Sequence, residues 1–159
     1  MADKITIIED TREQTPLDFS GHRGVESVRS GLKTGDYSVQ GYEDKICFER
    51  KSVPDLVQTL IEGHSRFLKE IERMKSFKRA YILIEHTAGT VYRYCERHGW
   101  ESRFDTIIQS LLAYACHAGV RIRFCKDRQD MAAYIVKKSK EFLKEKEKAN
   151  EGRENLPTK

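Results

Sequence analysis

The chain has 159 residues, 38% of them hydrophobic and 34% charged, which suffices for one domain with a substantial core and is cramped for two. Its apolar runs fall short of the roughly 18 residues that a membrane span needs, so a membrane protein is excluded, and Met1-Ala2-Asp3-Lys4 lacks the pattern of a secretion signal. An intracellular protein is expected: cytoplasm or nucleoid for a prokaryotic or viral chain, nucleus for a eukaryotic one. The net charge of +4 is compatible with a polyanionic partner without demanding one. Between residues 64 and 79, however, Arg66, Lys69, Arg73, Lys75, Lys78 and Arg79 face only Glu70 and Glu72, which concentrates a basic face.

Along the chain, Ile5-Thr6-Ile7-Ile8 reads as a buried strand ending at Glu9-Asp10. After a loop with Pro16, Gly21 and Gly24, strand-like pieces at 25–29, 37–40 and 45–51 are separated by Gly31, Gly35 and Gly41, which predicts an antiparallel meander. Ser52-Val53-Pro54-Asp55 carries a capping hydroxyl, a first-turn proline and an acid suited to the positive helix end. The helix starting there is interrupted at Gly63 and resumes to about Phe77. A strand at 80–85 follows, then an irregular stretch from Thr87 to Gly99, a helix from Phe104 closed by Gly119, a strand at 120–125 and a final helix from near Asp127. This order predicts an α/β fold with a mixed sheet and helices on both faces. The domain is expected over 1–143, with 144–159 a charged helical extension that frays into a disordered tail.

Cys47, Cys95, Cys116 and Cys125 contain no Cys-x-x-Cys pair, so reduced thiols are expected. Zinc ligation by Cys95, His98, Cys116, His117 and Cys125 is disfavoured because Cys116 and His117 adjoin within an apolar helical run.

The chemistry concentrates in Gly35-Asp36 and in Glu49-Arg50-Lys51 through Asp55. On a strand Glu49 and Lys51 share one face while Arg50 turns to the other. If the preceding strand brings Asp36 beside Glu49, two carboxylates and an ammonium converge, an arrangement that a divalent cation would balance. Such hard oxygens suit magnesium or manganese, with the backbone carbonyl of Arg50 as a further donor, and phosphodiester hydrolysis follows from that chemistry. Lys51 would orient a water or offset charge in the transition state. Asp55 either orients Lys51 or only stabilises the helix start. In the loop after the first strand, Asp10 and Glu13 would extend the acidic site, and Arg12 would hold a phosphate through its planar fork.

With these residues the chain resembles the catalytic domain of the XPF-type structure-specific endonucleases, within the restriction-endonuclease-like superfamily. The family pattern of Gly-Asp followed by Glu-Arg-Lys-x-x-x-Asp is met by Gly35-Asp36 and by Glu49-Arg50-Lys51 through Asp55. An upstream Asp-x-Arg-Glu is matched by Asp10-Thr11-Arg12-Glu13, and Arg66-Phe67 to Lys75 and Tyr81 to Glu85 are also similar. The resemblance implies that Asp36 and Glu49 bind the metal with Asp10 and Glu13 near it, that Lys51 is the catalytic lysine, and that Arg12, Arg50 and Asp55 support the site. It implies metal-dependent incision of one strand near a branch or a duplex-to-single-strand junction, in DNA repair or recombination.

The family usually adds a tandem helix-hairpin-helix module, for which residues 126–159 leave no room, so a partner subunit, a homodimer or a stand-alone nuclease is expected. Leu111, Leu112, Ile135 and Phe142 are candidates for core or for such an interface. DNA contacts are expected from Arg12, Arg50, His64, Arg66, Lys69 and Arg73, and single-strand stacking from the stretch holding Tyr92, Arg93, Tyr94, Arg97, His98 and Trp100. The alternatives are a non-catalytic DNA-binding or scaffold subunit, against which the intact acids and lysine argue, and a Holliday-junction resolvase.

Overall fold

Ile5–Glu9 forms β1, whose isoleucines at 5, 7 and 8 are all buried, as a strand covered on both faces requires. The computed structural model describes residues 4–62 and 64–154, with His64 described in its backbone only. The other strands are β2 (Val25–Arg29), β3 (Tyr37–Val39), β4 (Ile46–Lys51), β5 (Arg79–Glu85) and β6 (Arg121–Cys125). They form one sheet in the order β2-β1-β3-β4-β5-β6. Pairing is parallel for β1–β2, β4–β5 and β5–β6 and antiparallel for β1–β3 and β3–β4.

The mixed sheet agrees with the sequence reading, but the meander does not. β2 lies outside β1 at the sheet edge and runs parallel to it. The loop between them is therefore a crossover, which buries Leu17 and Phe19 instead of forming a hairpin. Two distant arginines serve its carbonyls: Arg29 donates to Thr11 O and Glu13 O at 3.0 and 2.8 Å, and Arg128 to Thr15 O and Pro16 O at 2.6 and 3.0 Å.

The helices are α1 (Val53–Ile61), α2 (His64–Met74), α3 (Ala88–Arg97), α4 (Phe104–Ala118) and α5 (Arg128–Glu154). The first four cover one sheet face, where Leu56, Phe67, Val91 and Leu111 pack on Cys47, Ile82 and Ile84. On the other face, Met131, Ile135 and Phe142 of α5 pack with Ile7, Phe48 and Leu83. Among the described residues no helix is long and apolar enough to cross a membrane.

α3 replaces the irregular stretch expected from Thr87 to Gly99. Thr87 accepts the Thr90 N–H at 3.3 Å as a cap, and Val91 and Cys95, one turn apart, are fully buried. So narrow an apolar stripe amid exposed side chains is why the helix is faint in the sequence. α5 runs on to Glu154 past Phe142, its last fully buried side chain. Within the expected tail, residues 155–159 lie outside the described residues.

Candidate functional site

β3 runs antiparallel to β1 and β4, so its first residue meets the C-terminal ends of both. Tyr37 pairs with Phe48, which sets Asp36 opposite Glu49. The Asp36 N–H donates to Phe48 O at 2.8 Å, and the Arg50 N–H donates to Asp36 Oδ2 at 2.8 Å. Gly35 permits this approach: at φ +83°, a Cβ there would stand 3.1 Å from Cys47 Cβ and 3.2 Å from Phe48 O. Gly35→Ala is accordingly expected to cost about 2–3 kcal/mol of stability in urea denaturation. Gly41→Ala, at φ +85° in open space, should cost only the backbone term of about 1 kcal/mol. Equal losses in the two variants would show that crowding at Gly35 is immaterial.

Strand alternation turns Cys47, Glu49 and Lys51 toward the helices α1 to α4 and Phe48 and Arg50 to the opposite face. Lys51 Nζ lies 3.5 Å from Glu49 Oε1 and 3.2 Å from Glu70 Oε2, with all three side chains no more than 15% exposed. Burial, the hydrogen bond with Glu70 and the Asp36 charge push the Glu49 carboxyl well above the usual range. Glu70, despite its burial, is drawn below the usual range by that bond and by the Lys51 ammonium. Lys51 is held charged, because Glu49 and Glu70 outweigh its burial. Burial pushes Asp36 up to about 6, with the Glu13 charge adding and the Arg50 N–H only partly offsetting.

Asp10, at the end of β1, is 1% exposed. It accepts the Leu32 N–H at 2.9 Å and Arg12 Nε at 2.6 Å, which outweigh burial and hold its carboxyl below the usual range. Arg12 also donates to Leu32 O at 2.9 Å while its side chain stays 70% exposed. Asp10, Arg12, Asp36, Glu49, Glu70 and Arg73 line one cavity of about 250 Å³, which Lys33 and Thr34 complete.

The other predicted residues divide. Glu13 sits behind Asp36, where it takes Arg50 Nε and Nη2 at 2.9 and 3.1 Å and the Tyr37 hydroxyl at 3.0 Å. Arg50 Nη1 reaches Glu85 at 2.6 Å, which completes a buried ion network around its side chain. Asp55 is exposed in the first turn of α1, with its N–H capped by Ser52 at 3.3 Å; Lys51 pairs with Glu49 and Glu70 instead. Arg66 is exposed on α2 and Arg73 reaches the acidic cavity, but Lys69 lines a different groove with Leu68, Ala113 and His117, between α2 and α4. The His64 side chain lies outside the described residues.

Within the aromatic stretch Tyr92 is 41% exposed, with its ring edge-on to Phe104 at 5.2 Å. Tyr94 and Trp100 pack against the core, and their rings stack on His98 at 4.2 and 5.3 Å between centroids. Sequence reasoning missed Glu70, Lys33, Thr34 and Glu85. Glu70 left a signal: it is the acid at helical spacing from both Arg66 and Arg73.

Among the described residues no group of three or more His, Cys, Asp or Glu side chains stands at metal-holding spacing. Magnesium or manganese needs only one or two carboxylates and completes its shell with water and substrate phosphate. Asp36 and Glu49 meet that requirement with hard oxygens; burial raises both, the Glu13 charge adds to Asp36 and the Asp36 charge to Glu49, and a dication would relieve that cost. Asp10 already has both oxygens engaged, which leaves it a supporting position.

The ERCC4 domain model matches residues 9–138 of the chain. Among solved structures, XPF from Aeropyrum pernix superposes with a TM-score of 0.71 at 20% identity, over 92% of this chain and 69% of that one. XPF from Aeropyrum pernix in complex with DNA gives 0.70 at 20% identity, over 89% of this chain and 66% of that one. The chain thus spans about two thirds of the length of these structures and shares their fold. No curated protein matches it.

Proposed function

The chain belongs to the ERCC4 domain family, and from that premise we propose that it is a magnesium- or manganese-dependent endonuclease that hydrolyses phosphodiester bonds in branched, flapped or junction DNA. The observation that carries this reading is the convergence of Asp36, Glu49 and Lys51, at the ends of the central strands β3 and β4, with Glu70 of α2. Asp36 and Glu49 would hold the cation, which when bound polarises a phosphoryl oxygen and acidifies a water. Lys51, kept charged between Glu49 and Glu70, presents an ammonium where negative charge develops in the transition state. Arg12, braced by Asp10, turns an exposed guanidinium toward the phosphate. The solved DNA complex of a structural relative supports DNA as the ligand. Pairing with a second copy or a partner subunit belongs to the same reading: Leu112 is 52% exposed on α4, whereas Leu111, Ile135 and Phe142 are core.

The test is incision of end-labelled flap, splayed-arm and plain duplex DNA. Cleavage of the branched substrates in magnesium is expected, with chelator abolishing it and Asp36→Asn lowering the rate by about 100-fold or more. Incision that survives both chelator and Asp36→Asn would overturn the metal mechanism.

A further inference from the structure

Beside the acidic cavity lies a larger one of about 660 Å³, and Lys33, Thr34 and Arg73 form the wall common to both. The rest of the larger cavity's lining includes Leu32, Phe77, Glu43, Asp44 and Glu72, of which Asp44 pairs with Lys45 at 3.1 Å and Glu72 with Lys75 at 3.8 Å. Lys33 and Arg73 are exposed, and among the described residues neither forms a salt bridge. Arg12, Arg50 and Lys51, by contrast, are each bound to carboxylates. Two exposed cations therefore stand on the wall common to both cavities, and three acids line the larger cavity alone.

That order of charge selects what can enter. DNA carries a negative charge on every nucleotide, so its backbone is drawn to Lys33 and Arg73 on the shared wall and disfavoured among the acids that line only the larger cavity. A base is uncharged and meets no such barrier. Carboxylates at the wall can accept hydrogen bonds from exocyclic amino groups, and the half-buried ring of Phe77 offers an apolar surface for stacking. The volume lies within the range of sites that enclose a small organic group.

We propose that this second cavity receives one unpaired nucleobase of the DNA, that of the nucleotide adjoining the scissile phosphate, while Lys33 and Arg73 hold the phosphate between the two cavities. The inference rests on the nuclease reading for the position of the scissile phosphate. It gives the domain its own reason to favour junctions. A base inside a duplex must first be unstacked and unpaired to enter, whereas one at a junction is already free.

The test uses the full chain and flap DNAs with 2-aminopurine moved one position at a time through the single-stranded arm, with calcium in place of magnesium. Emission at one position is expected to change on binding. An abasic analogue at that position should weaken binding about 10-fold, the size of one base–aromatic stack. Phe77→Leu should weaken binding of the parent DNA about 5-fold or more and lose that effect on the abasic DNA, whereas Lys33→Gln, which acts on the phosphate, should weaken binding of both DNAs alike. Phe77 also packs on the core, so the 2-aminopurine scan and the abasic DNA, both read on the unaltered chain, decide the matter if Phe77→Leu folds poorly. No responsive position, or abasic DNA bound and cut in magnesium as well as the parent, overturns the base pocket and leaves the nuclease reading standing. Base-dependent binding without incision in any metal does the reverse, and no binding to any DNA removes both.

Discussion

Arg50→Ala is expected to remove about 3–5 kcal/mol of folding stability, the range for breaking a buried ion pair from one side. Arg50 grips Glu13 with two nitrogens at 2.9 and 3.1 Å and Glu85 with a third at 2.6 Å. The side chains of Glu13 and Glu85 are only 9% and 15% exposed, so without Arg50 they become poorly solvated charges of like sign. Arg128 lies 3.6 Å from Glu85 and compensates little of this, being itself 39% exposed. Arg50→Lys should recover only part of the loss, because a single ammonium cannot reproduce the planar fork. Adding Glu13→Gln and Glu85→Gln to Arg50→Ala should restore some stability, since it is the uncompensated charge that costs. Urea midpoints for the series check the ordering. A loss below about 1 kcal/mol for Arg50→Ala would mean that solvent reaches the network and that it contributes no more than a surface pair.

What the sequence disclosed about this site follows from which contacts are local. The alternation of Glu49, Arg50 and Lys51 is a property of any strand, and the structure places Lys51 with Glu70 on one face and Arg50 with Glu13 on the other. The Ser52 cap and the helix ending at Gly119 are likewise written within a few residues. Strand order is not. Nothing between Asp10 and Gly24 distinguishes a crossover from a hairpin connection, and Arg128, which helps to pin that loop, lies 112 and 113 residues away from its acceptors. Glu70 and Lys33 reach the acidic cavity only because α2 and the turn before Asp36 fold over it. Lys69 shows the converse, since three residues apart on a helix is not the same bearing: it is about 60° round the axis from the Arg66–Arg73 line, enough to turn it toward α4.

Metal-free protein is expected to be more stable at pH 5 than at pH 8, and magnesium or manganese should reverse most of the difference. Asp36 has its carboxyl raised from 3.8 to about 6 in the fold. A raised acid favours the folded state fully below its unfolded value, and that contribution is lost as pH climbs through the folded one. Between pH 5 and pH 8 the shift corresponds to about 1.4 kcal/mol, and Glu49, raised by burial, its bond with Glu70 and the Asp36 charge, adds in the same direction. Asp10 and Glu70 are lowered and act oppositely, losing their contribution as pH falls through the folded values. They steepen the acid side below pH 4 rather than the interval above it. For a domain of this size, about 1.4 kcal/mol is a melting shift of roughly 3–6 °C. A dication at about 100 times its dissociation constant returns about 2.7 kcal/mol, and at pH 5 it must displace protons to bind, so its effect there should be small. Asp36→Asn should flatten the pH dependence and remove most of the response to metal, because it deletes both the titrating group and a ligand. Melting curves at pH 5 and 8, with chelator and with each metal, decide it: if the metal-free protein were the more stable at pH 8 and indifferent to magnesium and manganese, Asp36 and Glu49 would not be strained toward each other, and the argument for a cation between them would lose its physical basis.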